Sequence, residues 1–281
     1  MNKKKIKKSI LRIFTIYLPV ILLAFAVLMP ILWALSTSLK SEHTIISSVI
    51  QYIPNPVFFK NYANVWNVNH FSIYFKNSVF ISFTAVIFIA FLSICNGYAM
   101  SRFRFRGKKA FFLMLIGTQL LPIIILIIPL FLIFKTIGIV NTPFSLILFY
   151  IVIQTPFSSL LMRGFVDGVP RQIDEAAMID GATRLQVVFS VIVPIILPGI
   201  VAVTAFAFVG CWNEFVAAFS FISTESRFTV PVGLEYMIGE YSVDYASLAA
   251  GSIISLIIPL ILFSYIQKYL IQGLSSGSVK G

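Results

Sequence analysis

Long apolar stretches free of Asp, Glu, Lys and Arg alternate with shorter polar ones along this chain. Six of these stretches, at residues 13–39, 77–101, 110–134, 136–162, 185–213 and 245–267, exceed the roughly 18 residues needed to cross a hydrocarbon layer ~30 Å thick. In lipid a backbone must satisfy its own hydrogen bonds, and a helix does so within one segment. The pattern therefore predicts an all-α polytopic membrane protein with six transmembrane helices. It divides the chain into a basic tail (1–12), a first span (13–39), a loop (40–72), a core with five further spans (73–268) and a C-terminal tail (269–281).

Composition agrees with this pattern. The chain is 59% hydrophobic and 11% charged, where soluble domains carry roughly 25% charged residues. Its net charge of +11 raises the question of nucleic acid, and the placement of the basic residues answers it. Sixteen of the 21 Lys and Arg residues fall on the side shared by the two termini, in the segments 3–12, 102–109, 163–184 and 268–280. Lys40, Lys60, Lys76, Lys135 and Arg227 fall on the other. The positive-inside rule then places both termini in the cytoplasm, with the chain multi-pass in the cell membrane. The basic surplus serves as a topology signal and an anchor to anionic lipid, and no nucleic-acid partner is expected. The opening MNKKKIKKSILRIF is similar to the charged start of a signal peptide. Its apolar core is too long for one and five more spans follow, so a retained first helix is expected.

Other residues with chemical potential read as structural. Cys95 and Cys211 fall inside predicted spans and read as small apolar groups. His43 and His70 lack ligand spacing and read as surface residues of the outer loop, so no metal site is expected. Trp33, Trp66, Tyr74 and Tyr265 suit anchoring at the membrane interface. Prolines at 19, 30, 122, 129, 156, 194, 198 and 259 punctuate the spans, each expected to remove a helical hydrogen bond that neighbours replace.

The longest inner loop, at about 164–190, reads GFVDGVPRQIDEAAMIDGATRLQVVFS. Pro170 is placed to start a helix, Arg171 to pair with Asp174 and Glu175, and Gly181 to stop the helix after Ile179 and Asp180. Thr183 and Gln186 form a capping-box pattern. Leu185, Val188, Phe189 and Ile192 then recur at the spacing of one helical face. Two short helices joined by a glycine turn are predicted beneath the membrane, leading into the fifth span. Such a unit suits docking into a groove of a soluble partner, or lying on the headgroups as a connector.

Glu175, Ala176, Ala177, Asp180, Gly181 and Ala182, followed by Phe189, Ile192, Pro194 and Pro198, resemble the EAA signature of binding-protein-dependent ABC importer permeases. The runs Trp212 to Phe215 and Thr229 to Leu234, and the tail from Gly273 to Gly281, are similar to the carbohydrate-uptake branch, specifically the maltose-type second permease. The resemblance covers nearly the whole chain and implies a type-1 ABC importer permease fold. It implies that Glu175 is the docking carboxylate, Gly181 the turn glycine, and Gly277 and Lys280 a tail contact with the ATPases. The tail departs from the family pattern at Ser275, Ser276 and Ser278. The resemblance also implies a second permease subunit, two cytoplasmic ATPases that use ATP and Mg, and an extracellular sugar-binding protein, with no cofactor bound by this chain.

Gln119, Gln154 and Asn213 are neutral hydrogen-bonding groups in or near spans, suited to sugar hydroxyls in a polar passage and equally to interhelical contacts. Glu214 ends an uncharged stretch, where it reads as an interfacial carboxylate or as a contact at an outer gate or binding protein. The sequence carries no phosphate loop, no H-E-x-x-H pair and no G-x-S-x-G elbow, so no catalytic residues are assigned and energy must come from another subunit. Two rival functions are an ion-coupled secondary transporter and a non-transporting membrane scaffold. The first should show ionisable groups in mid-span or broken helices in matched halves, and neither is evident in the sequence.

Overall fold

The computed structural model describes residues 12–239 and 243–278. Apart from one isolated bridge between Ile238 and Val243, the regular elements among them are helices. They are α1 (Leu18–Ser38), α2 (Glu42–Ile46), α3 (Lys60–Asn67), α4 (Phe71–Arg102), α5 (Lys108–Gln119), α6 (Ile123–Thr136) and α7 (Pro143–Asp167). There follow α8 (Arg171–Ile179), α9 (Arg184–Ile195), α10 (Leu197–Trp212), α11 (Val216–Phe221), α12 (Val230–Glu235) and α13 (Tyr245–Ser278). The chain forms two compact units, one of Met1–Phe71 with Tyr236–Leu256 and the other of Ser72–Glu235 with Ile257–Gly281.

In the first unit α1 is apolar on every face and almost entirely uncovered, as expected of a helix bathed in lipid. Polar contacts order the loop beyond it. Asn61 is buried and donates to the carbonyls of Ser38 (2.9 Å) and Lys40 (2.7 Å), and Ser38 shares a hydrogen bond with Tyr62. Glu42 accepts from the backbone N–H groups of Tyr245 (3.3 Å) and Ala246 (3.0 Å). Its carboxylate thus sits on the positive end of α13, whose first-turn N–H groups have no intrahelical partner. His43 and His70 are exposed, as predicted.

The second unit fixes the topology of the core. At one end of α4, Ser101 donates to Asp167 (2.6 Å) and Arg102 pairs with Asp174 (2.8 Å). At the other, Asn77 donates to the carbonyls of Ser226 (3.0 Å) and Phe228 (2.9 Å), and Val230 N–H donates to Ser78. Asn141 lies at that same outer level, where it donates to Thr224 (2.7 Å) and accepts from the N–H groups of Ser223 and Thr224. The 32 residues of α4 rise about 48 Å at 1.5 Å each, enough to separate these two levels by a full membrane. The chain must therefore cross outward between Arg102 and Asn141, return along α7, and cross outward again before Thr224. Each of the pairs α5–α6 and α9–α10 makes one of these crossings, which gives six in all.

Those two pairs depart from the expectation of uninterrupted spans. The axes of α5 and α6 meet at 103°, and those of α9 and α10 at 84°. A count of uncharged residues cannot see such breaks, because the turn at Leu120–Pro122 and the kink at Ile196 are themselves apolar. The fourth span also starts later than predicted, at Pro143. Gly138 (φ 75°) and Asn141 (φ 60°) take left-handed backbone and end the preceding helix, a conformation that glycine and asparagine tolerate best. Prolines 30, 129, 156 and 259 lie inside helices, 198 falls in the first turn of α10 and 122 precedes α6, whereas 19 and 194 follow directly on the π segments Ile13–Tyr17 and Val187–Ile192 within continuous helix. Of the eight, only 122 and 198 stand at a helix start, where the missing N–H costs no ladder bond.

Small residues let the spans approach closely. A Cβ at Gly97 would come 2.9 Å from the backbone nitrogen of Arg163 and from Met162, so α4 and α7 touch backbone to side chain there. Tyr74, expected as an interfacial anchor, is instead buried and donates to Glu225 (2.8 Å). Because backbone cannot move aside as a side chain can, Gly97→Val is expected to destabilise the protein by roughly 1–3 kcal/mol. Gly117→Val, at a site where a Cβ meets nothing within 4 Å, should be far milder. Melting temperatures of the two variants in detergent measure the difference.

Candidate functional site

The inner loop folds as two short helices about one glycine. α8 begins after Pro170, whose extended backbone (φ −57°, ψ 136°) leads into Arg171. It ends with Gly181 N–H donating to Met178 O (3.2 Å) and Ala182 N–H to Ala177 O (3.0 Å), while Gly181 takes φ +87°. This is the Schellman stop, which a side chain at position 181 would strain. Thr183 then opens α9 with the predicted capping box, its N–H donating to Gln186 (2.7 Å) and its hydroxyl accepting from Gln186 N–H. Glu175, Ala176, Asp180 and Gly181 are exposed, while Ala177 and Ala182 pack on an apolar cluster that includes Met162, Val166, Val187 and Ile192.

One feature of α9 departs from the expected helical face. Val188 and Ile192 are buried, but Leu185 and Phe189 are not, and Val187 takes their place inside. Residues Val187–Ile192 form a π segment, which adds a residue to the turn and rotates the inward face. Phe189 instead stacks on Phe91 of α4.

The loop is held by polar contacts whose importance was not evident from its sequence. Arg102 Nε donates to Asp174 at 2.8 Å, with both side chains less than 8% exposed. Tyr98 also donates to Asp174 (3.1 Å), and Arg102 Nη2 donates to Val169 O (2.8 Å). Arg171, predicted to pair with Asp174 and Glu175, reaches back instead to the carbonyl of Ser101 (3.0 Å). Asp174 is already neutralised by a buried arginine from α4, and Glu175 points away on the exposed face. Arg163 and Asp167 form a partly exposed pair at 3.3 Å, and Arg184 lies over the ring of Phe103. Breaking a buried pair by removing one partner typically costs about 3–5 kcal/mol, because the other charge stays desolvated. Arg102 had signalled topology alone; a lone charge at a span end does not reveal its partner 72 residues on.

A second site lies where the two broken crossings face each other. A cavity of about 860 Å³ is lined by residues 118–124, around the break between α5 and α6, and by residues 213–216, between α10 and α11. Non-helical backbone at membrane depth is tolerated only where it is buried in protein or lines a polar cavity. Gln119, Asn213 and Glu214 lie in this lining, with Thr118 beside them. Gln154 does not. It packs against Gly210, where a Cβ would overlap its amide, and so sits in the contact between α7 and α10. Glu214 accepts from Ala217 N–H (2.7 Å), Ala218 N–H (3.1 Å) and the Tyr150 hydroxyl (3.3 Å). Its carboxylate caps α11, a role invisible while 185–213 was read as one straight span. In the tail, α13 continues through Gly277, and Lys280 lies outside the described residues.

Residues 93–276 match the family described as the binding-protein-dependent transport system inner membrane component. The chain belongs to that family. The matched region spans both sites, and relatives extend over nearly the whole length of this permease. The trehalose/maltose transport system permease protein of Thermococcus litoralis is 30% identical, covering 98% of this chain and 99% of its own. The trehalose transport system permease protein of Mycobacterium tuberculosis is 35% identical, covering 90% of this chain and 93% of its own. Among solved structures, a chain of a bacterial ABC transporter involved in import of the acidic polysaccharide alginate superposes with a TM-score of 0.79. It shares 24% identity and covers 92% of this chain and 96% of that one, so the fold is the same. A related structure of the alginate transporter was solved in complex with an alginate pentasaccharide-bound periplasmic protein (TM-score 0.69, 18% identity, 94% of each chain). The permease is thus a multi-pass membrane component of a transport system and not an enzyme. Its two broken crossings, not evident in the sequence, both lie within the matched region.

If the cavity holds water, single cysteines introduced by Gln119→Cys and Asn213→Cys in a Cys95→Ala, Cys211→Ala background will react with a water-soluble thiol reagent. One introduced by Leu132→Cys, on the exposed apolar surface of α6, should react at least tenfold more slowly. Labelling rates in membranes provide the measurement.

Proposed function

We propose that this permease carries a sugar or oligosaccharide across the cell membrane, driven by separate ATPase subunits that dock on the α8–α9 loop. The observation that carries this reading is the two-sided character of α8. One side is bound into the core through Asp174, Ile173 and Ala177, and the other presents Glu175, Ala176 and Asp180 to the cytoplasm. A surface held rigidly from behind can pass on displacement imposed from the front. The sugar class is supported by the relatives, whose names specify trehalose, maltose and diacetylchitobiose transport. It is also supported by the cavity, whose lining combines the neutral amides Gln119 and Asn213 with the carboxylate of Glu214 and apolar walls. Such a surface suits an uncharged polyhydroxylated ligand, which binds through many hydrogen bonds and apolar ring faces.

The rest of the assembly follows the same resemblance. A second permease completes the pathway, two ATPases bind ATP and Mg, and an extracellular sugar-binding protein delivers the ligand. The last is favoured by the binding-protein complex of the alginate transporter that shares this fold. Gly277 and Lys280 are assigned to a tail contact with the ATPases.

Combining Glu175→Lys with Gly181→Pro reverses the charge of the exposed face and destroys the left-handed turn. The double variant is expected to lose ATPase capture in a detergent pull-down and to lower sugar uptake at least tenfold. Retained capture with undiminished uptake would remove the docking reading.

A further inference from the structure

The docking loop is joined to α4 by buried polar contacts as well as to the span it precedes by the chain itself. Two arginines cross the joint in opposite directions: Arg102 of α4 binds Asp174 and Val169 O in the loop, and Arg171 of the loop binds Ser101 O of α4. Tyr98 adds a third contact to Asp174. The covalent route into the fifth span is softer. It runs through the π segment Val187–Ile192 and then through the 84° bend before α10, where a push along the chain would be absorbed as bending.

α4 itself is suited to carry a push. Among the described residues it is the one crossing with neither an interior proline nor a break. α1, α7 and α13 hold Pro30, Pro156 and Pro259, and the other two crossings are bent. Its far end is clasped by the outer segment 225–235. Tyr74 donates to Glu225, Asn77 holds the carbonyls of Ser226 and Phe228, Ser78 accepts from Val230 N–H, and Tyr74 lies flush against Gly233. Specific contacts therefore tie one unbroken helix to the cytoplasmic docking surface at one end and to an outer loop at the other.

We propose that α4 is the transmission rod of this permease, with Arg102 and Asp174 as its inner joint and the segment 225–235 as the element it moves. The proposal rests on the docking reading above and adds the direction that force takes: through the joint to the second span and out to the opposite surface, with the fifth span following. Arg102 and Asp174 are positioning residues, since both side chains are buried away from the exposed docking face and neither lines the cavity. By linkage, whatever binds the outer segment biases the docking surface in return.

The test uses the whole transporter with its ATPase bound, in a Cys95→Ala, Cys211→Ala background carrying Ser226→Cys. Ser226 is exposed beside the Asn77 contact. The rate at which the thiol introduced at position 226 reacts with a water-soluble maleimide is measured with and without a non-hydrolysable ATP analogue. The expected result is a severalfold dependence on nucleotide, abolished by Asp174→Asn while the ATPase still copurifies. Should Asp174→Asn not assemble, Arg102→Lys keeps the charge but shortens the reach to Val169, and is expected to reduce the dependence to less than half. An ATPase-bound transporter whose introduced thiol shows no nucleotide dependence, or either variant with undiminished dependence, overturns the rod. Failure of the otherwise unsubstituted chain to hold the ATPase overturns the docking reading instead, and removes the rod's input with it.

Discussion

Inside a bilayer, every backbone amide that leaves a helix must find another partner, and the architecture of this permease is arranged around that constraint. Four helices cross the membrane with their ladders largely intact. The two crossings that break do so where the freed backbone can be met by other groups. At 120–122 the chain borders a cavity; at Ile196 the bend keeps its ladder, Ile196 N–H donating to Ile192 O and Ile200 N–H to Ile196 O (3.0 Å each); and beyond the second crossing, at 213–215, Glu214 supplies a carboxylate to the start of the next helix.

The inner face obeys a related rule. Asp174 and Arg102 are both removed from solvent, a combination that is stable only while each has the other. The hydroxyl of Tyr98 and the carbonyl of Val169 complete their hydrogen bonding. The consequence is a cytoplasmic surface element fixed to the membrane-embedded part by contacts that cannot be loosened one at a time without a large penalty.

Much of this was legible in the residues, for physical reasons that can be named. Absence of charge marks what can enter hydrocarbon, so the candidate crossings could be read directly. Gly181 and the Thr183–Gln186 pair act over three or four residues, within reach of local pattern, and both turns formed as read. Bends at apolar residues escaped, because charge counting is blind to a turn such as Leu120–Pro122. The buried face of α9 escaped as well, because a π segment breaks the 3.6-residue period on which face prediction depends. Partners distant in sequence were out of reach altogether: Arg102 with Asp174, Tyr74 with Glu225 and Glu42 with the start of α13 are chosen by the fold. In the candidate ligand site, Gln119, Asn213 and Glu214 line the cavity, whereas the amide of Gln154 packs between two helices, and polarity alone allowed either place for an amide.

The capping box at Thr183 has a consequence for association. Two N–H groups that would otherwise need water or a binding partner are already satisfied by the Thr183–Gln186 exchange, so α9 starts at a defined place in the isolated subunit. A protein that docks there need not freeze a mobile segment as it binds, and little of its contact energy is lost to ordering. Grip can then be modest and still specific.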